Sequence, residues 1–116
     1  MSNFITDIPS DSTIVRIEFK DNLATITFKL SIYEDDKDTK ILHFADVVAS
    51  NLLPGWQSDI EGIEVKNESD LLEKIKHVLK ADEENMPLLK SYQAISSSRG
   101  TPVIEIIARA YKVEKI

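Results

Sequence analysis

At 116 residues the chain has room for one domain, and 42% apolar with 29% charged residues is the composition of a folded globular protein. Fourteen basic against twenty acidic residues leave a net charge of −6. That balance argues against nucleic acid and anionic membranes as partners, because both are bound through basic patches, and the lack of cysteine excludes disulfides and thiolate metal sites.

The first twelve residues, MSNFITDIPSDS, have neither the basic region nor the long apolar run of a signal peptide. No segment approaches the ~20 apolar residues of a spanning helix, so a soluble, cytoplasmic protein is expected. Pro9 and the Ser10-Asp11-Ser12 cluster favour an irregular or short edge segment, with Phe4, Ile5 and Ile8 available to tuck against a core.

Thr13 to Lys20 alternates, with Val15, Ile17 and Phe19 on one face and Arg16, Glu18 and Lys20 on the other, which predicts a half-buried strand. Asp21-Asn22 suits a tight turn, and Leu23 to Glu34 returns with Ala24, Ile26, Phe28, Leu30 and Ile32 in one row. The acidic run Glu34 to Asp38 reads as the second turn. Lys40 to Val48 follows as a third strand with Leu42, Phe44 and Val48 facing in, completing an antiparallel meander with one wet face.

Ala49-Ser50-Asn51 reads as a breaker before LLPGWQSDIEGIEV, residues 52 to 65, where the strand rhythm gives way. Pro54-Gly55 forces a turn, and Ile60 to Val65 resembles a short strand with a bulge at Gly62. Asn67 and Ser69 are N-cap candidates, with Asp70 and Glu73 in the positive first turn of a helix running to about Ala81. Leu71, Leu72, Ile75, Val78 and Leu79 form its single apolar stripe, which must dock on a sheet.

Asp82 to Pro87 reads as an acidic loop. Leu88 to Ser96 and Pro102 to Lys115 then make a last hairpin around Ser97 to Gly100. Its final strand puts Ile104, Ile106, Ala108 and Ala110 on one face and Val103, Ile107, Tyr111 and Val113 on the other, as in a strand covered on both sides. The expected fold is therefore α+β: one domain over residues 1–116, an antiparallel sheet of about five or six strands, and one amphipathic helix packed on a face.

Chemistry is sparse. His43 and His77 fall on different elements, and no HxH or HExxH spacing offers a metal or a base, so solvated positions are the plain reading. An EF-hand loop beginning at Asp36 would place Ile41 at its glycine position and Val47 at its glutamate; beginning at Glu34 gives Thr39 and Ala45, so both registers fail. The turn SSSRG is neither a nucleophile elbow nor a phosphate cradle. No cofactor or catalytic constellation is indicated. An enzyme would need Glu18, Asp46 or Glu105 set in a deep pocket.

The candidate binding edge is Trp56 with the acids around it. Asp59, Glu61, Glu64, Glu68 and Asp70 surround the single Lys66, and Glu34, Asp35 and Asp36 form a second acidic group. Acids held at that density repel one another and gain from a basic partner. Trp56 is read either as core, lidding a sheet edge, or as an interface anchor of the kind tryptophan often supplies. A solubilising surface remains the bland alternative for the acids.

The segments IEFKDNLATITFKL, KILHFADV, WQSDIEGIEV and VIEIIARAYKV resemble small bacterial immunity proteins, cytoplasmic inhibitors of contact-dependent or polymorphic toxins. The resemblance implies a non-catalytic, stoichiometric inhibitor of a cognate toxin, often acidic because many such toxins are basic nucleases. It assigns no individual residue. The rival expectation is a small structural or ligand-binding domain, monomeric or homodimeric through a sheet edge.

Overall fold

The structure, a computed structural model, describes residues 3–5, 8, 12–20, 25–32, 35–57, 59–78 and 89–115. Among these residues nine strands and one helix follow in the order β1 (Asn3–Phe4), β2 (Ser12–Lys20), β3 (Thr25–Ile32), β4 (Asp35–Ala45), β5 (Ala49–Leu52), β6 (Asp59–Lys66), α1 (Asp70–Val78), β7 (Lys90–Ser96), β8 (Pro102–Ala108) and β9 (Ala110–Lys115). All pair antiparallel in one sheet ordered β5-β8-β7-β6-β2-β3-β4-β9, with β1 added to β6.

The sheet curls on itself. β4 pairs with β9 and β5 with β8, so a single two-stranded ribbon runs from Lys40↔Lys115 to Leu52↔Ile104 with a bend in the middle. At the bend Asp46 takes a left-handed φ of 56°, a conformation that a short polar side chain tolerates, and Arg109 donates its N–H to the Ala45 carbonyl. One half of the ribbon continues through β3 to β2 and the other through β7 to β6. The halves meet again where β2 pairs with β6 at Ser12↔Ile60 and Thr13↔Asp59. Strands that bend from one sheet into the next make the corners of such a barrel-like sandwich. Counting each bent strand once and setting aside two-residue β1, six staves form the ring, close to the five or six expected.

Bends and bulges move several side chains off the faces that strict alternation assigns. In β2 the register with β3 shifts between Ile14 and Arg16. Ile14, not a member of the expected row, is fully buried, and Ile17 of that row packs against the core. One extra residue between them shifts the alternation, so that Ile14 shares a face with Ile17 and with Phe19, which is 44% exposed near the strand's end. The bend at Asp46 does the same to the third strand, burying Val47 and leaving Val48 41% exposed. At Arg109 the phase changes again: Ile104, Ile106 and Ala108 are core, Ala110 is exposed, and Val113 rejoins the core from what alternation made the opposite face. The bulge expected at Gly62 lies between Ile60 and Gly62.

Two further expectations are corrected. Ala49-Ser50-Asn51 is not a breaker but strand β5, because β8 supplies a ladder that local propensity does not encode. Asp35 to Asp38 are not a turn but the start of β4, where Ile32↔Asp35 extends the pairing with β3. The expected turns at Asp21-Asn22 and Glu34 and the acidic loop Asp82 to Pro87 lie outside the described residues.

The interior is a single cluster that includes Ile14, Leu42, Phe44, Ile60, Ile63, Tyr92, Ile104 and Ile106, joined by Ile5 and Ile8 from the N-terminal segment. Phe44 and Tyr92, from opposite halves of the ring, meet at 5.0 Å between ring centroids, and Tyr111 stacks edge-on against Tyr92 at 5.6 Å. A smaller cluster lies on the outer face, where Leu72 of α1 packs with Leu89 and Ile107 beside Ala49, Leu71 and Ile75. Ser69 caps this helix, its Oγ accepting from the Leu72 N–H at 3.1 Å and its carbonyl accepting from Glu73. The apolar stripe is shorter than expected. Val78 is 79% exposed, and Leu79 to Ala81 lie outside the described residues.

Burial, and then the charge of Tyr111, raise the Tyr92 phenol above its ordinary value of 10.0. The unfolded chain releases that proton first. Stability is therefore fully present below pH 10 and falls as pH rises from there through the higher value of the folded state. Urea unfolding between about pH 8 and pH 11 should show a shallower alkaline loss in Tyr92→Phe than in the parent. Equal slopes would remove Tyr92 as the cause.

Candidate functional site

Trp56 sits in the turn that carries the chain from β5 to β6. Its side chain is half-buried and packs against the main core, so the ring closes one part of the interior while keeping some surface in water.

The acids separate into groups with different surroundings. Asp59 opens β6 at the seam of the ring, where Thr13 Oγ1 donates to its Oδ1 at 2.5 Å. Glu61 follows, exposed, and both flank the buried Ile60. Glu64 differs: it is 7% exposed, lies in register with Gln93 and meets Lys66 Nζ at 3.1 Å. A carboxylate so enclosed contributes little to an outward field. Glu68 and Asp70 are exposed at the far end, Asp70 inside the acidic first turn of α1, where the helix dipole favours it. Strand β6 spans roughly 25 Å at the usual rise, so the expected patch is a string of acids rather than one cluster.

The second acidic group is placed only by its backbone. Asp35 and Asp36 begin β4, their side chains are not among those described, and Glu34 lies outside the described residues. Among the described residues no group of three or more His, Asp or Glu side chains could hold a metal ion. Among the described residues no helix is long and apolar enough to cross a membrane. His43 meets Glu114 of the neighbouring strand at 2.8 Å, and His77 is exposed on α1. The carboxylates considered for catalysis serve different neighbourhoods: Glu18 bridges to Arg16 at 2.6 Å, Asp46 is exposed at the bend, and Glu105 belongs to a polar row on β7 and β8.

Sequence alternation alone does not single out that row. Ser91, fully buried, donates to Glu105 Oε2 at 2.5 Å, and Gln93 Nε2 reaches both Ser91 Oγ at 3.1 Å and Glu105 Oε2 at 3.2 Å. The cross-strand pair Gln93↔Glu105 lies one step from Ser91↔Ile107, so the row shares the outer face with the seat of α1. The polar alternation of Ser91 and Gln93 was visible in the sequence, but nothing there said that this face would be covered.

No family model matches the chain, and no curated protein matches it. Among solved structures, the crystal structure of an uncharacterized protein from Neisseria gonorrhoeae is similar over 100% of this chain and 99% of that chain, with a TM-score of 0.60 and 13% identity. At that identity the likeness concerns the fold: a curled antiparallel sheet with one helix.

Proposed function

We propose that this protein is a non-catalytic binding module that neutralises a basic protein partner, in the manner of the bacterial immunity proteins its strands resemble. The observation that supports this reading is the exposed acidic flank of Asp59, Glu61, Glu68 and Asp70 in a chain of net charge −6. Lys66, the cation within this stretch, is engaged by Glu64. A flank of one sign steers an oppositely charged partner during encounter and makes association sensitive to salt. Trp56, anchored on the core beside this flank in sequence, gives the contact a rigid apolar element that loses little entropy on binding.

The test takes the product of the adjacent gene as the candidate toxin. Stopped-flow association should be fast at low salt and slow steeply toward about 0.15 M. The double variant Asp59→Lys with Glu61→Lys should slow association by roughly tenfold or more while leaving most of the dissociation rate unchanged. Failure of the parent to bind the toxin, or to protect cells that express it, would end the inhibitor reading. Binding with a flat salt dependence would end its electrostatic part.

A further inference from the structure

We infer that β5 is the contact edge of a homodimer in which two copies of this chain pair β5 against β5 across a two-fold axis, extending the sheet from one copy into the other. The inference is separate from the acidic flank, since β8 and β7 lie between β5 and β6 in the sheet.

Among the described strands, β5 pairs with β8 on one side only. The register Ala49↔Ile107 and Asn51↔Glu105, continued by the bond from the Leu53 N–H to the Val103 carbonyl, fixes which residues point toward β8. Bonded pairs alternate in an antiparallel ladder, so Ser50 and Leu52 direct their N–H and C=O groups to the open edge. Two such edges related by a two-fold axis are complementary by construction. Ser50 of each copy stands opposite Leu52 of the other, with about four backbone hydrogen bonds between them.

An open edge is a hazard that proteins commonly block with charge. Among the described strands, the opposite end of the sheet order, β9, reads AYKVEK and carries Lys112, Glu114 and Lys115. The β5 edge carries none. Residues 47 to 58, VVASNLLPGWQS, form the longest uncharged run in a chain that is 29% charged. Charged strands of one sign would repel their own copies across a two-fold axis; this strand has nothing to repel with.

Apolar exposure gathers at the same edge. Val48, Leu52 and Leu53 are 41%, 38% and 43% exposed. Leu52 lies in register with buried Ile104, and among the described strands none flanks it on its other side. The helix α1 rests against Ala49 and Ile107 on the outer face, so a two-fold axis perpendicular to the sheet would bring both helices to the same side. The paired edge is four residues long, which makes a small interface and a concentration-dependent dimer, with Kd of roughly 10 to 100 µM.

Sedimentation equilibrium from about 10 µM to 1 mM should show the mass rising from 13.1 kDa toward twice that value. Ser50→Pro removes an N–H that β8 does not use, and Leu52→Lys places like charges near the axis. Each should hold the protein at the monomer mass with an unchanged far-ultraviolet spectrum. Amide exchange supplies a readout without substitution. The Ser50 and Leu52 amides should gain protection with concentration, while the Asn51 amide is protected throughout. A mass of 13.1 kDa across the whole range, or a dimer that Leu52→Lys and the amides show to lie elsewhere, overturns the assignment.

Discussion

Phe44→Ala should lower the stability of this protein by about 3–5 kcal/mol, enough to move the thermal midpoint down by roughly 12–20 °C in a domain of this size. Phe44 is fully buried on β4, immediately before the bend, and its ring meets Tyr92 of β7 at 5.0 Å. It therefore spans the inside of the ring, tying the half built on β2, β3 and β4 to the half built on β6, β7 and β8. Truncation removes the transfer energy of the ring and leaves a cavity that two curved walls cannot both collapse into. Phe19 provides the internal comparison, since at 44% exposure the same truncation should cost under about 1.5 kcal/mol. Thermal and urea unfolding of both variants would decide the matter. Equal losses would mean that Phe44 does not join the two halves.

Glu105→Ala should cost about 2–4 kcal/mol although it deletes a charged residue that is only partly buried. The cost comes from what remains. Ser91 and Gln93, at 0% and 5% exposure, both direct donors at Glu105 Oε2 and would lose that acceptor together. A buried donor without a partner forfeits its hydration with no return. Ser91→Ala in the Glu105→Ala background should cost less than in the parent, because its acceptor is already gone. A double-mutant cycle in urea should give a coupling of roughly 1–2 kcal/mol. Additive losses would show the two groups to be independent, contrary to the 2.5 Å contact.

The sequence reading succeeds where a signal is local and repeated. The β2-β3-β4 meander, the bulge near Gly62, the Ser69 cap and the β7-β8 hairpin rest on alternation, turn residues or a capping side chain, each encoded within a few positions. It fails where one residue changes phase. The irregularity after Ile14, the left-handed Asp46 and the bend at Arg109 each displace the inward row, and neither their residues nor their neighbours announce them. Val48 and Val47 exchange roles for that reason.

The candidate site divides in the same way. The sequence named Asp59, Glu61, Glu68 and Asp70 as acids near Trp56, and all four are exposed. It counted Glu64 among them, but the ladder with Gln93 and the pairing with Lys66 enclose that carboxylate. Composition and periodicity by themselves determined the class of fold, the charge and the helix, because those depend on which residue types recur and at what interval. Tertiary structure alone decided that the sheet closes on itself, that Ser50 and Asn51 belong to a strand, and that Ser91, Gln93 and Glu105 share a buried face. A strand is completed by a neighbour distant in the chain, and burial by whatever packs above it. Neither is a property of the segment itself.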